Sequence, residues 1–130
     1  MLFVVCGGTD AEIEGTSQEL QDLSRSIRKC ESLSRIPLSV PATFDDRGLR
    51  YLTELVIKVD SGALKISEVD QQLLVSGTKK NLDLFSANID ALVTQTEGVL
   101  LKRDHLHVEF YPGHFFLSED ALPLVLIRQD

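Results

Sequence analysis

The chain has 130 residues, of which 43% are hydrophobic and 25% are charged, and this composition is typical of one folded domain. Its formal net charge of −7 argues against nucleic acid as a ligand, because nucleic-acid binders usually carry a basic surface, and it favours a basic protein partner. With two cysteines outside any CxxC spacing and no apolar run of about 20 residues, the sequence predicts a cytoplasmic protein that does not cross a membrane.

The first predicted elements are two short strands at 2–6 and 11–14 and a helix at 16–30. Thr16 and Glu19 have the spacing of a capping box, in which each side chain bonds the main chain of the other residue. The apolar residues of the helix recur at the spacing of one helical face; they are Leu20, Leu23, Ile27 and Cys30. This face is expected to lie in the core.

An irregular segment is predicted at 31–51, because Pro37, Pro41 and Asp45-Asp46-Arg47-Gly48 interrupt any regular period. Long irregular segments inside a compact domain often carry function. Asp45 and Asp46 are therefore candidate binding residues, and a solvated acidic loop is the alternative interpretation.

The second half of the chain is predicted to form strands and one further helix. The strands are expected at 52–60, 63–67, 72–76, 105–111, 114–118 and 123–127, and the helix at 78–93. Ser61-Gly62 and Pro112-Gly113 occupy the positions of two tight hairpin turns, the latter suited to a type II turn with glycine at positive φ.

Two pairs of segments share a residue pattern, which predicts an internal duplication. Residues 13–27 match 75–89 at an offset of 62, and residues 55–68 match 106–119 at an offset of 51. The difference between the offsets implies an 11-residue insertion in the first copy. Chance similarity between ordinary amphipathic segments is the alternative.

The predicted fold is α+β and forms a single domain over residues 1–130. Two degenerate β-β-α-β repeats, at about 1–60 and 63–111, are followed by a closing hairpin at 114–127. The strands alternate in polarity, so a largely antiparallel sheet is expected to carry both helices on one face and to expose the other. The result would be a two-layer sandwich.

All three histidines lie within ten residues of the second copy. If Pro112-Gly113 forms the hairpin turn, His107 pairs with Ser118 and His105 pairs with Asp120. One face of this hairpin is then predicted to carry His105, His107, Glu109, Tyr111, His114, Phe116, Ser118 and Asp120. The opposite face is predicted to enter the core with Leu106, Val108, Phe110, Phe115 and Leu117.

This polar face has three interpretations. It can contact solvent or a protein partner, or it can form a homodimer with the help of Tyr111 and Phe116. The third interpretation is a divalent metal site, and hence a small metal-dependent enzyme, with His105, His107 and Asp120 as ligands, because imidazoles two residues apart on a strand stand about 6 to 7 Å apart. The first interpretation needs no cofactor.

The segment His105-Leu106-His107-Val108-Glu109-Phe110-Tyr111-Pro112-Gly113-His114, with Ser118 and the ending Pro123-Leu124-Val125-Leu126-Ile127, resembles the C-terminal part of the bacterial immunity protein 32 family. The resemblance covers the C-terminal half, including the helix that follows Gly77-Thr78. It implies a non-catalytic cytoplasmic inhibitor that binds a cognate toxin. The candidate binding surface is His105, His107, Glu109, Tyr111, His114 and Asp120, with Asp45 and Asp46.

Overall fold

The structure is a computed structural model, and it describes residues 2–7, 9–41, 49–94 and 104–130. These residues form nine strands and two helices. The strands are β1 (Phe3–Cys6), β2 (Ala11–Gly15), β3 (Leu33–Pro37), β4 (Arg50–Tyr51), β5 (Glu54–Val59), β6 (Lys65–Val69), β7 (Gln72–Gly77), β8 (Asp104–Val108) and β9 (Leu124–Arg128). The helices are α1 (Ser17–Lys29) and α2 (Lys79–Thr94).

The strands form two mixed sheets that share one core. The first sheet has the order β4-β1-β2-β9-β8, and the second has the order β3-β5-β7-β6. Most neighbours are antiparallel, while β2 with β9 and β5 with β7 are parallel. The predicted α+β class is confirmed, with two mostly antiparallel sheets where the sequence pattern suggested one.

Apart from β4, the two halves of the chain have the same order of elements, and they exchange strands. Each half supplies a hairpin (β1–β2 or β6–β7), then a helix, then an outer strand (β3 or β8) and a final strand (β5 or β9). The final strand pairs in parallel with the hairpin of the other half, so that β9 lies beside β2 and β5 lies beside β7. Neither half completes a sheet alone.

The register defines which positions are equivalent in the two halves. Ile13 pairs with Leu126 in the first sheet, and Val75 pairs with Ile57 in the second. Ile13 and Val75 are 62 residues apart, which is the offset of the first sequence alignment, so these two residues occupy equivalent positions. Ile57 is therefore equivalent to Leu126 in the structure. The second sequence alignment, which placed 55–68 on 106–119, does not follow this register. The duplication itself remains a prediction.

Both helices begin and pack as the sequence predicts. Glu19 N donates to Thr16 Oγ1 over 3.2 Å and Thr16 N donates to Glu19 Oε1 over 3.0 Å, which completes the capping box. The predicted apolar stripe of α1 is buried, and α2 buries Leu82, Phe85, Ile89 and Leu92 at the same spacing. The helices contact each other at Ser24 and Ser86, whose hydroxyl oxygens lie 2.6 Å apart, within hydrogen-bond distance.

Two features of the connections differ from prediction. The segment 31–51 contains β3 and β4, of which β3 pairs with β5 although Pro37 ends it. The predicted hairpin around Ser61-Gly62 does not form, because β5 is already bonded to β3 and β7 on its two edges. Gly62 still adopts a positive φ of 84°, which glycine tolerates without a Cβ clash.

Candidate functional site

The histidine-bearing strand β8 pairs with β9 at one end of the first sheet. His105 stands opposite Ile127 and His107 stands opposite Val125. The predicted pairing of this strand with 114–118 is therefore wrong. The segment that follows the turn runs instead beside β6, where Leu117 forms a bridge with Leu64 and Leu122 N donates to Ile66 O over 2.8 Å.

Four of the predicted surface residues do share an exposed strip along β8 and its continuation. They are His105, His107, Glu109 and Tyr111. The rings of His105 and His107 are 5.3 Å apart and nearly perpendicular, and His107 Nδ1 lies 3.1 Å from Glu109 Oε1. A carboxylate oxygen can only accept, so this contact selects the tautomer with hydrogen on Nδ1, orients the His107 ring and holds a carboxylate beside it.

The turn after this strip forms as predicted. His114 N donates to Tyr111 O over 2.9 Å, and Gly113 has a φ of 90°, the positive value that a type II turn requires. His114 is half-buried, and its Nδ1 accepts from the amides of Phe116 and Leu117 over 3.2 and 3.1 Å. Its role here is therefore to hold the main chain after the turn.

Phe115 and Phe116 have the opposite burial from the one that strand alternation predicts. Phe115 is 73% exposed and stacks on the His114 ring, whereas Phe116 is buried and meets the same ring edge-on. The prediction of Phe115 as core and Phe116 as surface is wrong. Residues 114–118 make only one isolated bridge, at Leu117, so the two-residue period of a strand does not apply to them.

Asp120 lies apart from the two strand histidines. Its carboxylate accepts from the Ser118 hydroxyl and pairs with Lys65 Nζ over 3.4 Å, beside β6 of the second sheet. The Ser118 hydrogen bond is the main cause of a lowered pKa for Asp120, and the Lys65 charge adds to it.

The proposed metal ligands are therefore not assembled. Within the described ranges, no three His, Cys, Asp or Glu side chains are arranged to hold a metal ion, so the structure does not bring together His105, His107 and Asp120. Asp45 and Asp46 lie outside the described residues.

A cleft of about 280 Å³ separates the edges of the two sheets, and Cys6, Asp10, Arg50 and Glu68 are among its lining residues. Arg50 and Glu68 form an ion pair across it, with Arg50 Nε 3.2 Å from Glu68 Oε2. Burial, together with the nearby Glu68 charge, raises the pKa of Cys6 to about 11. Cys6 is therefore a protonated thiol at neutral pH and lacks the thiolate character of a nucleophile.

The strip on β8 continues into side chains that the sequence pattern did not indicate. Phe3, Glu12 and Tyr51 belong to β1, β2 and β4, which lie in the same sheet as β8. They were missed because the strand order that connects them to β8 depends on pairing between the two halves. The available signal was the position of Glu12 between the buried residues Ala11 and Ile13.

None of the described helices combines the length and apolar character needed to cross a membrane. No curated protein matches the chain. The family model described as Immunity protein 32 matches residues 72–129, a range that runs from β7 to β9 and includes α2 and β8. This match confirms the resemblance seen in the sequence: the C-terminal half is similar to the immunity protein 32 family, which supports an immunity-type role for the chain.

Proposed function

We propose that this chain is a cytoplasmic, toxin-neutralising immunity protein that binds its cognate toxin through the strip formed by His105, His107, Glu109 and Tyr111. The family match over residues 72–129 is the observation that carries the proposal, because β8 lies inside the matched range. Asp120 and His114 are left out of the contact strip, since both are occupied with contacts that hold the main chain or pair with Lys65.

The chemistry of the strip suits a protein interface. Tyr111 is 57% exposed, and tyrosine supplies a large contact area with a polar end, for which reason it is enriched at binding hot spots. The imidazoles and the Glu109 carboxylate add hydrogen-bonding groups that are already oriented by the 3.1 Å contact. A net charge of −7 accelerates the approach of a basic toxin.

The test uses a position-matched pair of variants. By the pairing register, His105 and His107 of β8 are equivalent to Leu33 and Arg35 of β3, so both pairs stand on outer strands. We expect His105→Ala with His107→Ala to weaken binding of the toxin at least about tenfold. We expect Leu33→Ala with Arg35→Ala to leave binding within about twofold of the unmodified chain.

The probe is a catalytically inactivated form of the toxin encoded beside the gene for this chain, with affinity measured by titration calorimetry. Rescue of growth in cells that express the active toxin provides the second readout. If the unmodified chain neither binds that toxin nor rescues growth, the proposed function is wrong. If the histidine variant binds as well as the unmodified chain, the toxin contacts another surface.

A further inference from the structure

The outer face of the first sheet connects β8 to strands of the N-terminal half. We infer that this whole face, built jointly by both halves of the chain, docks a basic protein surface. The inference rests on the proposed function and names both the extent of the interface and the class of partner. Strand β8 would then form one end of a contact that reaches β4.

The pairing registers align the side chains of the face in two rows across the sheet. One row consists of Tyr51, Val5, Glu12, Val125 and His107. The other row consists of Phe3, Glu14, Ile127 and His105. Five strands at about 4.8 Å spacing place Tyr51 and His107 about 19 Å apart, a span compatible with the roughly 800 Å² that each partner buries in a stable complex.

These rows lie on the side of the sheet that faces away from the helices. The alternate residues of the same strands, among them Val4, Ile13 and Leu126, belong to the core cluster together with the buried stripes of α1 and α2. Because successive side chains of a strand point to opposite faces, the two rows project outward. Val5 and Ile127 are shielded, although neither belongs to the core cluster.

The equivalent face of the second sheet provides an internal comparison. Inward positions are apolar in both sheets, as Ile13 with Leu126 and Val75 with Ile57 show. The outward positions differ in charge. The positions of Phe3, Ile127 and His107 are taken in the second sheet by Lys65, Lys58 and Arg35.

The charged residues at these outward positions therefore differ in sign between the two sheets, although Arg35, Lys58 and Lys65 are each paired with a carboxylate. The two rows of the first sheet hold Glu12 and Glu14 and no lysine or arginine. Arg128 of β9 is turned inward, where its Nη1 donates to Val93 O over 2.9 Å at the end of α2. A face with carboxylates between aromatic and imidazole rings is complementary to a surface rich in lysine and arginine.

The aromatic residues of the N-terminal half are arranged as contact residues. Phe3 and Tyr51 are half-buried and meet edge-to-face with ring centroids 6.3 Å apart, which fixes both rings beside Glu12 and Val5. Rigid aromatic rings lose little conformational freedom on binding and contribute much of the energy of protein interfaces.

The experiment reverses one charge on the face and an equal charge elsewhere. Glu12→Lys is compared with Glu31→Lys, which changes the net charge equally at an exposed site just after α1. With the inactivated toxin as probe, we expect Glu12→Lys to weaken binding at least about tenfold at low salt, with a smaller difference at 0.5 M salt. Glu31→Lys should change affinity by less than about threefold.

Hydroxyl-radical footprinting of the same complex supplies a second measurement, because it reports the solvent contact of aromatic rings without a mutation. The oxidation of Phe3 and Tyr51 should fall when the toxin binds. If the toxin binds the unmodified chain but these rings stay accessible and Glu12→Lys has no effect, the inference is wrong while the proposed function stands. If the toxin does not bind at all, the proposed function fails first.

Light scattering tests whether a second copy of the chain occupies this face. A dimer of the unmodified chain that Glu12→Lys dissociates would assign this face to a second copy of the chain, and would overturn the inference. The inference would also be overturned if Arg35→Ala weakened toxin binding and Glu12→Lys did not, because the toxin would then occupy the face of the second sheet. We expect the unmodified chain to be a monomer. We also expect Glu12→Lys to weaken toxin binding and Arg35→Ala to leave it unchanged.

Discussion

His114 illustrates how one side chain can be drawn away from a binding surface by its main-chain contacts. The sequence placed it beside Tyr111 on a polar strand face. In the structure, its Nδ1 accepts two amide hydrogen bonds and its ring packs against Phe116. Those two amides follow the Pro112-Gly113 turn, and the bridge to Leu64 beside them uses Phe116 O and Ser118 N instead.

We expect His114→Ala to lower the free energy of unfolding by about 1 to 3 kcal/mol, because two amides lose their acceptor and a half-buried ring is removed. Chemical denaturation measures the change. Phe115→Ala is the neighbouring control, since its side chain is 73% exposed, and its effect should stay within about 0.5 kcal/mol. Equal effects of the two substitutions would show that the amide contacts contribute little.

At the scale of an element, α1 is fixed at its start by two carboxylates from different parts of the chain. Glu19 completes the capping box. Asp130 Oδ1 accepts from Ser17 N over 2.8 Å and from Ser17 Oγ over 2.9 Å, and so connects the end of the chain to the first turn of the helix. A negative charge at this position also stabilises the helix dipole.

The hydrogen bonds from the Ser17 amide and then the Ser17 hydroxyl lower the pKa of Asp130 from its ordinary 3.8. A carboxyl with a lowered pKa in the folded state contributes stability above the pKa of the unfolded state, and the contribution is lost as the pH falls through the folded-state pKa. We therefore expect Asp130→Asn to reduce the melting temperature at pH 7, and to have a much smaller effect once the pH has fallen below the lowered folded-state pKa. A difference that does not depend on pH would contradict the assignment.

The contact between α1 and α2 contains hydrogen-bonded polar side chains. Ser24 Oγ donates to Asp90 Oδ1 over 2.7 Å and accepts from the Ser86 hydroxyl over 2.6 Å. Arg28 pairs with the same carboxylate. These partners satisfy hydroxyls that would otherwise be costly to bury between two apolar stripes.

At the scale of the whole molecule, the exchange of strands makes the two halves interdependent. β9 comes from the C-terminal half, and it borders β2 on the edge opposite β1. Leu124 of β9 is fully buried in the core shared by both sheets. A defect at this position is therefore expected to affect the N-terminal hairpin as directly as the strand that contains it.

We expect Leu124→Ala to cost about 2 to 5 kcal/mol and to preserve a single unfolding transition, because it creates a cavity in the shared core. Hydrogen exchange should show β2 and β8 losing protection together. Two separate transitions, with the N-terminal half surviving the loss of the C-terminal half, would contradict the interdependence of the halves. Val69→Ala, at an exposed position of β6, is the control.

The sequence by itself predicted the helices, most strands and the α+β class, since these depend on local periods and caps. Leu20, Leu23 and Ile27 are read from a 3.6-residue spacing, and Thr16 and Glu19 from a four-residue motif. The exposure of His105, His107, Glu109 and Tyr111 followed from strand alternation in the same way. The resemblance of the C-terminal half was also visible in these residues.

Only the tertiary structure decided which strands are neighbours. Pairing β8 with β9 and β2 with β9 depends on contacts between distant parts of the chain, and no local pattern distinguishes them from a hairpin at Pro112-Gly113. Because β8 and β2 both pair with β9, Phe3, Glu12 and Tyr51 lie in the sheet that carries the histidines. Asp120 lies apart from His105 and His107, beside β6. The physical reason is that the local period fixes the face a side chain occupies, whereas long-range hydrogen bonding fixes its neighbours.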